Sequence, residues 1–331
     1  MRRVLLPHAI SSAAPPAGAA IHELRGTSMG TSWSARIAGA AAELAPLLQA
    51  ELDLVVAQMS HWEPASDLGR FNRAPAGTWH ALPTEFLEVL AFALDVCEAS
   101  GGACDPCAGA LVNLWGFGPL DRHDEPGFVP PTPAQVQAVL ARRAHVRLDP
   151  QTGRAWQPGG VQLDLSAVAK GYAVDRLALR LESLGFANYL VEVGGELRGG
   201  GVKPDGQPWW VALEQPLDAS AGDDGIVVGL HGLAIATSGD YRRYFVDGAG
   251  RRPHTIDPRT GLPIDSGIAS VTVVDASCMA ADAWSTALTV LGVEAGLRLA
   301  ERRGIAVRYL VRQGDGSLRE STSSAFAAML D

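Results

Sequence analysis

Three features of the sequence predict an α+β fold of mixed antiparallel sheets and packed helices. Apolar spacing alternates between the period of two that suits strands and the period of 3.6 that suits helices, with no repeat of roughly 20 to 50 residues. The second half carries short extended runs at 188–193, 209–213, 226–238 and 270–274, punctuated by glycine and proline as in an antiparallel meander. No G-x-G-x-x-G turn opens a helix, and no G-x-x-x-x-G-K-[ST] loop occurs, so neither a dinucleotide fold nor a P-loop is indicated.

Element by element, residues 1–20, rich in Pro and Ala, read as a flexible tail, and 21–331 as a single domain. Residues 21–38 alternate around Ser32 to Ile37 and predict a strand ending at Gly39. Leu44, Leu47, Leu48, Leu52, Val55 and Val56 recur at helical spacing over 40–59. The segment 60–80 is polar and rich in turn formers. A second amphipathic helix covers 84–99 and stops at Gly101-Gly102; a third, over 133–145, is signalled by Thr132-Pro133. Ser166 is placed to cap a helix over 168–184 that Gly185 closes, and 279–291 reads as a further helix.

Composition removes whole classes of function. The 331 residues include 27 basic and 36 acidic side chains, a formal net charge of −9. Nucleic-acid affinity rests on Lys and Arg displacing counterions, so no nucleic-acid partner is expected. Every apolar run is broken short of the roughly 18 to 20 residues a membrane span needs. Arg2 and Arg3 precede a short apolar patch that faintly imitates an export signal, but Pro7 and His8 interrupt it. The first cysteine is Cys97, so no N-terminal cysteine is present to carry a lipid. A cytoplasmic location is therefore favoured over a periplasmic one. Of the four cysteines, Cys104 and Cys107 form a C-x-x-C pair. That pair suits a redox dithiol, half of a zinc site, or, most simply, small residues at a tight turn.

Four segments look chemical. Asp164 to Tyr172 (DLSAVAKGY) sets Asp164 and Lys170 on either side of a helix N-terminus, which together with a lysine suits an anionic phosphate. The chain has 27 basic residues, of which only Lys170 and Lys203 are lysines. A salt bridge between Asp164 and Lys170 accounts for the spacing equally well. Glycines at 194–195 and 199–201 allow close backbone approach to a ligand or simply serve hairpins. Thr237 to Tyr241 and His254 to Gly261 are polar loops, and His254 can accept a proton near neutral pH or merely hydrogen-bond its own loop. Asp282, Ser285 and Thr286 fall at i, i+3 and i+4, so their oxygens share one helix side and suit a hard cation such as Mg2+, or form a hydrogen bond within the turn.

Taken in order, TSMGT at 27–31, MSHWEPAS at 59–66 with RFN at 70–72, Asp105 ahead of LVNLWGFG at 111–118, DLSAVAKG at 164–171, VGG at 193–195, SGDY at 238–241, HTIDPRTG at 254–261 and ADAWST at 281–286 resemble the FAD:protein FMN transferase (ApbE) family over about residues 24 to 312. The resemblance implies a T-fold-related architecture and a Mg2+-dependent enzyme that cleaves FAD, attaches FMN through a phosphoester to a Ser or Thr of a target flavoprotein, and releases AMP. It implies FAD contacts at Met29, Trp62, Ala103, Cys104, Asp105, Asp164, Lys170 and Ile256, and Mg2+ ligands at Asp282, Thr286 and the Ala167 carbonyl. Lys170 and the metal would neutralise pyrophosphate charge, with His254 as base for the acceptor hydroxyl. The implied acceptor is a subunit of a membrane redox complex bearing a short Ser/Thr motif. Two other activities fit the same residues: an FAD pyrophosphatase giving FMN and AMP, and a non-catalytic flavin-binding protein. The chain departs from the family pattern at Cys104 and Cys107, where an aromatic and a Thr are common, and at Ser285, often Asp. It also lacks the lipid-anchor cysteine of many exported members.

Overall fold

The computed structural model describes residues 3–7, 10, 14–16, 18–39, 43–120, 122–214, 225–240, 244–247 and 250–330. The chain folds as two compact units, Met1–Leu54 with Lys170–Gly239 and Gly267–Asp331, and Val55–Ala169 with Asp240–Ser266; the sequence alone predicts a single domain over 21–331.

The first unit is built on an eight-stranded antiparallel sheet. Its strands are β2 (Ile21–Ser28), β3 (Thr31–Ala38), β7 (Tyr189–Val193), β8 (Glu196–Gly200), β11 (Leu233–Gly239), β16 (Ile268–Asp275), β17 (Ala306–Arg312) and β18 (Leu318–Thr322). They lie in the order β18-β17-β16-β11-β8-β7-β3-β2. All but the last residue of β16 are buried, which its unbroken run of small and β-branched residues allows, whereas β2 is exposed along most of its length. The helices α6 (Ala169–Ser183) and α7 (Cys278–Arg303) belong to this unit, the latter packed on β11 and β16. A second sheet joins β9 (Trp209–Ala212), β10 (Ile226–Leu230) and β1 (Arg3–Leu5), with β1 parallel to β10. A short α8 (Ser324–Ala327) completes the unit, and α1 (Ala45–Met59) runs from it into the second.

The second unit contains α2 (Asp67–Asn72), α3 (Thr84–Ala99), α4 (Gly109–Leu114) and α5 (Pro133–Ala141). A sheet of β4 (Thr78–Ala81), β6 (Arg154–Gln157) and β5 (Arg147–Asp149) and the hairpins β12–β13 (Tyr244–Asp247, Gly250–Pro253) and β14–β15 (Ile256–Asp257, Leu262–Pro263) complete it. Leu111, Trp115, Phe117, Val136 and Ile256 form an apolar cluster here. The Trp115 indole donates to the Gly261 carbonyl at 2.7 Å, which ties the 254–261 loop to α4. No helix among the described residues is long and apolar enough to cross a membrane.

The run at 21–38 is a hairpin rather than one strand, since Met29 and Gly30 both adopt positive φ, 52° and 71°. The run at 226–238 likewise divides at His231-Gly232 into β10 and β11. Ser166 does not cap α6; it lies in a turn whose N–H bonds Asp164 Oδ1, and the helix begins at Ala169. The last helix reaches Arg303, with a non-helical break at Gly292 (φ 77°). The stretch read as a flexible tail contains β1: Leu5 is fully buried against Ile226, Val228, Phe326 and their neighbours. The Leu6 N–H bonds the Met329 carbonyl. Three residues are too short a run to show period-two alternation, so the sequence carries no signal for this strand.

Leu5→Ala is therefore expected to destabilise the protein by about 2–4 kcal/mol, the cost of a cavity at a buried leucine. The denaturant midpoint measures it, and an unchanged midpoint is the result a flexible tail would give.

Candidate functional site

The first unit gathers a buried charge cluster where α6 and α7 begin. Gly171, in the first turn of α6, donates its N–H to Asp282 Oδ2 at 2.9 Å. A Cβ at Gly171 would stand 2.2 Å from the Cys278 carbonyl oxygen and 2.8 Å from Asp282 Cβ, so only glycine permits this approach. Asp175, one turn further along α6, accepts the N–H groups of Cys278 and Met279 and the Ser277 hydroxyl, and so caps α7 from outside. Lys170 Nζ lies 2.5 Å from Glu196 Oε1 at the start of β8. The Glu196 side chain is only 3% exposed, and its Oε2 is buried with no partner.

The ionisations in this cluster are interdependent. Burial pushes Glu196 up to about 7, against the opposing pull of Lys170. Burial also raises Asp282, opposed by Lys170 and the Gly171 N–H. Lys170 would lose its proton more easily on burial alone, but Asp282 and Glu196 hold it above its ordinary value. Further along α7, Ser238 Oγ lies 2.7 Å from Ser285 Oγ and 3.2 Å from Thr286 Oγ1. Ser285 is fully buried and donates to the Asp282 carbonyl, so its hydroxyl is committed to the core while Thr286 is only half-buried. Asp282 and Thr286 offer oxygen donors only, which fits a hard cation. Met29 also belongs to this unit, and is the only non-glycine residue with positive φ among the described residues. Holding an unbranched side chain there costs roughly 1–3 kcal/mol, a strain that tends to accompany function.

The second unit holds a cleft of about 330 Å3. Trp62, Asp164, His61, Asn113 and Gln162 are among the residues lining it. Asn72 fixes its floor: its side-chain amide bonds both the N–H and the carbonyl of Leu163. The Asp164 N–H meets the Pro106 carbonyl, and the Gly109 N–H meets that of Gln162. Asp164 lies 3.2 Å from His61 Nδ1. Burial would raise its carboxyl, but His61 and the hydrogen bonds from His61 and Ser166 outweigh that and hold it well below the usual range. The amide of Asn113 donates to Gln162 Oε1 at 2.7 Å, while its own Oδ1 is buried without a partner. Trp62 is 39% exposed, with the Arg122 guanidinium 5.7 Å from its ring centre.

The remaining expected FAD residues of this unit lie outside that lining. Asp105 is buried; its Oδ1 accepts the Cys107 N–H, and its Oδ2 accepts from Nε and Nη2 of Arg143. Nη1 of the same arginine donates to the Pro258 carbonyl, so one guanidinium joins the 103–107 turn to the 254–261 loop. Burial and Asp105 push the Cys107 thiol up to about 12 and that of Cys97 up to about 11, so neither is poised as a thiolate nucleophile. Ala103 and Ile256 are buried. His254 is half-buried, its ring edge-on to Phe117 at 6.2 Å. Ala167 sits in the turn ahead of α6.

Asp164 and Lys170 are thus engaged by His61 and Glu196 respectively. Sequence reasoning missed both partners, together with Arg143, Asn113 and Gln162. Glu196 follows a glycine pair and Asn113 interrupts an apolar helix, and a polar residue in such a place is a usable signal. Arg143 lies just past the end of α5 among ordinary polar residues and gave none.

A family model described as "ApbE family" matches residues 29–309. The chain belongs to the ApbE family. It is 36% identical to the FAD:protein FMN transferase of Haemophilus influenzae, the alignment covering 98% of this chain and 95% of that one. Against the protein of the same name from Vibrio cholerae the identity is 40%, over 93% and 92%. The apo structure of Pseudomonas stutzeri flavinyl transferase ApbE superimposes with a TM-score of 0.85 at 37% identity, covering 94% of this chain and 97% of that one.

Two outcomes test the charge cluster of this ApbE-family protein. An unfolded glutamate ionises near 4.5 and the folded Glu196 near 7, so between these values the unfolded chain has released a proton that the folded one keeps. Stability of the metal-free protein therefore falls as pH rises through that window and levels off above it, and Glu196→Gln flattens the decline in a pH series of denaturation curves. Gly171→Ala forces a methyl into the Cys278 carbonyl and should cost more than about 2 kcal/mol, whereas Ala at an ordinary helix glycine stabilises.

Proposed function

We propose that this protein is a Mg2+-dependent FAD:protein FMN transferase that moves FMN from FAD to a Ser or Thr hydroxyl of a target flavoprotein. Membership of the ApbE family, with full-length relatives of that name, carries the transferase reading. The observation that supports its chemistry is the cluster of Lys170, Glu196 and Asp282, with oxygen-only donors on α7.

In this reading the acceptor oxygen forms a bond to the FMN phosphorus as the bond to the AMP oxygen breaks, and AMP leaves. His254 takes the proton of the acceptor hydroxyl. Lys170, kept cationic by its two carboxylates, sits against the pyrophosphate and offsets its charge. Asp282 and Thr286 would hold Mg2+, which when bound supplies Lewis-acid neutralisation of phosphate oxygens; the Ala167 carbonyl is carried as third ligand on the family resemblance alone. Ser285, turned into the core, leaves Asp282 as the one carboxylate that α7 brings to the metal from this motif. In the cleft, Trp62 offers an aromatic face and Asn113 a buried acceptor that has no hydrogen-bond partner, features that suit a flavin or adenine ring once the site adjusts to it. Met29, Ala103, Cys104, Asp105, Asp164 and Ile256 are retained as FAD contacts. The acceptor is proposed to be a subunit of a membrane redox complex with a short Ser/Thr motif.

The test incubates the protein with FAD, Mg2+ and an acceptor domain carrying such a motif. Acceptor mass should rise by one FMN phosphoester with AMP released, and Asp282→Ala should lower the rate at least 100-fold and abolish the rise in melting temperature that Mg2+ gives the wild type. AMP and free FMN beside an unmodified acceptor would replace transfer by hydrolysis, and unchanged FAD would leave only flavin binding.

A further inference from the structure

Cys104 and Cys107 are not joined by a disulfide, and only Cys107 belongs to the metal-capable side-chain group found among the described residues. Cys107 meets Asp105 and His145, and the ligand atoms of these three residues lie within 4.8 Å of one another. They come from separate stretches of the second unit: the turn after α3, and the segment between α5 and β5. Asp105 and Cys107 are buried while His145 is exposed, so the group opens to solvent on the imidazole side.

We propose that Asp105, Cys107 and His145 form a second metal site, distinct from the oxygen donors on α7 and selective for a borderline-soft divalent ion of the Zn2+ type. One sulfur, one imidazole and one carboxylate are the ligand types that Zn2+ accepts, whereas Mg2+ disfavours both sulfur and nitrogen. Ligand atoms around tetrahedral zinc stand about 3.3–3.8 Å apart, given bonds of about 2.0–2.3 Å. Because these atoms already lie within 4.8 Å of one another, closure to that spacing takes at most about 1–1.5 Å, and the exposed His145 is free to contribute by side-chain rotation.

The surroundings are those of a supported ligand set. Arg143 grips Asp105 through Oδ2 and the Cys107 N–H holds Oδ1, which fixes the carboxylate as outer-shell partners fix metal-bound ones. Burial and Asp105 keep the metal-free Cys107 thiol protonated, up to about 12, while a main-chain hydrogen bond from Val146 to its sulfur favours the anion; metal binding therefore releases the thiol proton to solvent on the open His145 side. Cys97 hydrogen-bonds Asp105 from the end of α3, so a second thiol stands beside the group and either it or water completes four-coordination. Arg143 pairs the Asp105 charge, so the thiolate supplies the negative charge that a dication needs, and its soft sulfur favours a thiophilic metal over a hard one.

Co2+ reports thiolate ligation through a near-ultraviolet charge-transfer band, and is the probe of choice. Titrated into the reduced, full-length protein in excess Mg2+, it should give that band at one equivalent, and one equivalent of Zn2+ should bleach it. Cys107→Ser should at least halve the band and the Cys97→Ser, Cys107→Ser double variant should abolish it, whereas the buried Cys278→Ser control should keep it in full. His145→Ala, a change at an exposed position that keeps the fold, should weaken Co2+ binding at least tenfold. Absence of a thiolate band in the wild type would overturn the site, as would a band that persists undiminished in both Cys107→Ser and His145→Ala. Asp105 is shared with the proposed FAD contacts, but none of these readouts involves flavin, so failure of the metal site and failure of the transferase reading are distinguished.

Discussion

The close approach of two helix starts is the constraint on which the charged site depends. Glycine at 171 lets the first turn of α6 rest on the start of α7, and Asp175 then uses both carboxylate oxygens to cap α7. Arg198 donates to Asp175 and so fixes the cap to β8. The same strand begins with Glu196, and the opening turns of the two helices bear Lys170 and Asp282. A structural hydrogen-bond network thereby sets the spacing of the chemical groups without any of its members having to enter the chemistry.

The cluster shows why a buried lysine needs company. Transfer of an ammonium from water costs several kcal/mol unless opposite charge is close, and here two carboxylates provide it. The arrangement exceeds neutrality, with two potential negative charges against one positive. Burial resolves the excess by raising both acids, Glu196 to about 7. Either a proton or a second cation can fill the deficit, which is the electrostatic sense in which this site is suited to an additional positive ion.

Legibility from the sequence tracks the physics of each signal. Lys170, Asp282 and Thr286 stand out because helix periodicity fixes their spacing, and because lysine is rare in an arginine-rich chain. The limits of α3 are legible too, since an amphipathic run ended by glycines leaves little freedom. Glu196 and His61 escape notice as partners because they meet Lys170 and Asp164 only through strand pairing and loop packing at separations of 26 and 103 residues. β1 escapes for a related reason: three residues pair with a strand more than 200 positions away, and no local pattern encodes such a contact.

The cysteines make the same point from the opposite side. A C-x-x-C spacing invites a dithiol or zinc-knuckle reading, but spacing shows only which side chains could meet. In the fold, Cys107 is drawn toward Asp105 by its N–H donating to the Asp105 carboxylate across the 105–107 turn, and toward His145 by the return of the chain after α5. Arg143, two residues before His145, is what secures that return, through Asp105 on one side and the Pro258 carbonyl on the other. A charge pair that anchors two loops thus also determines which thiol has an imidazole within reach.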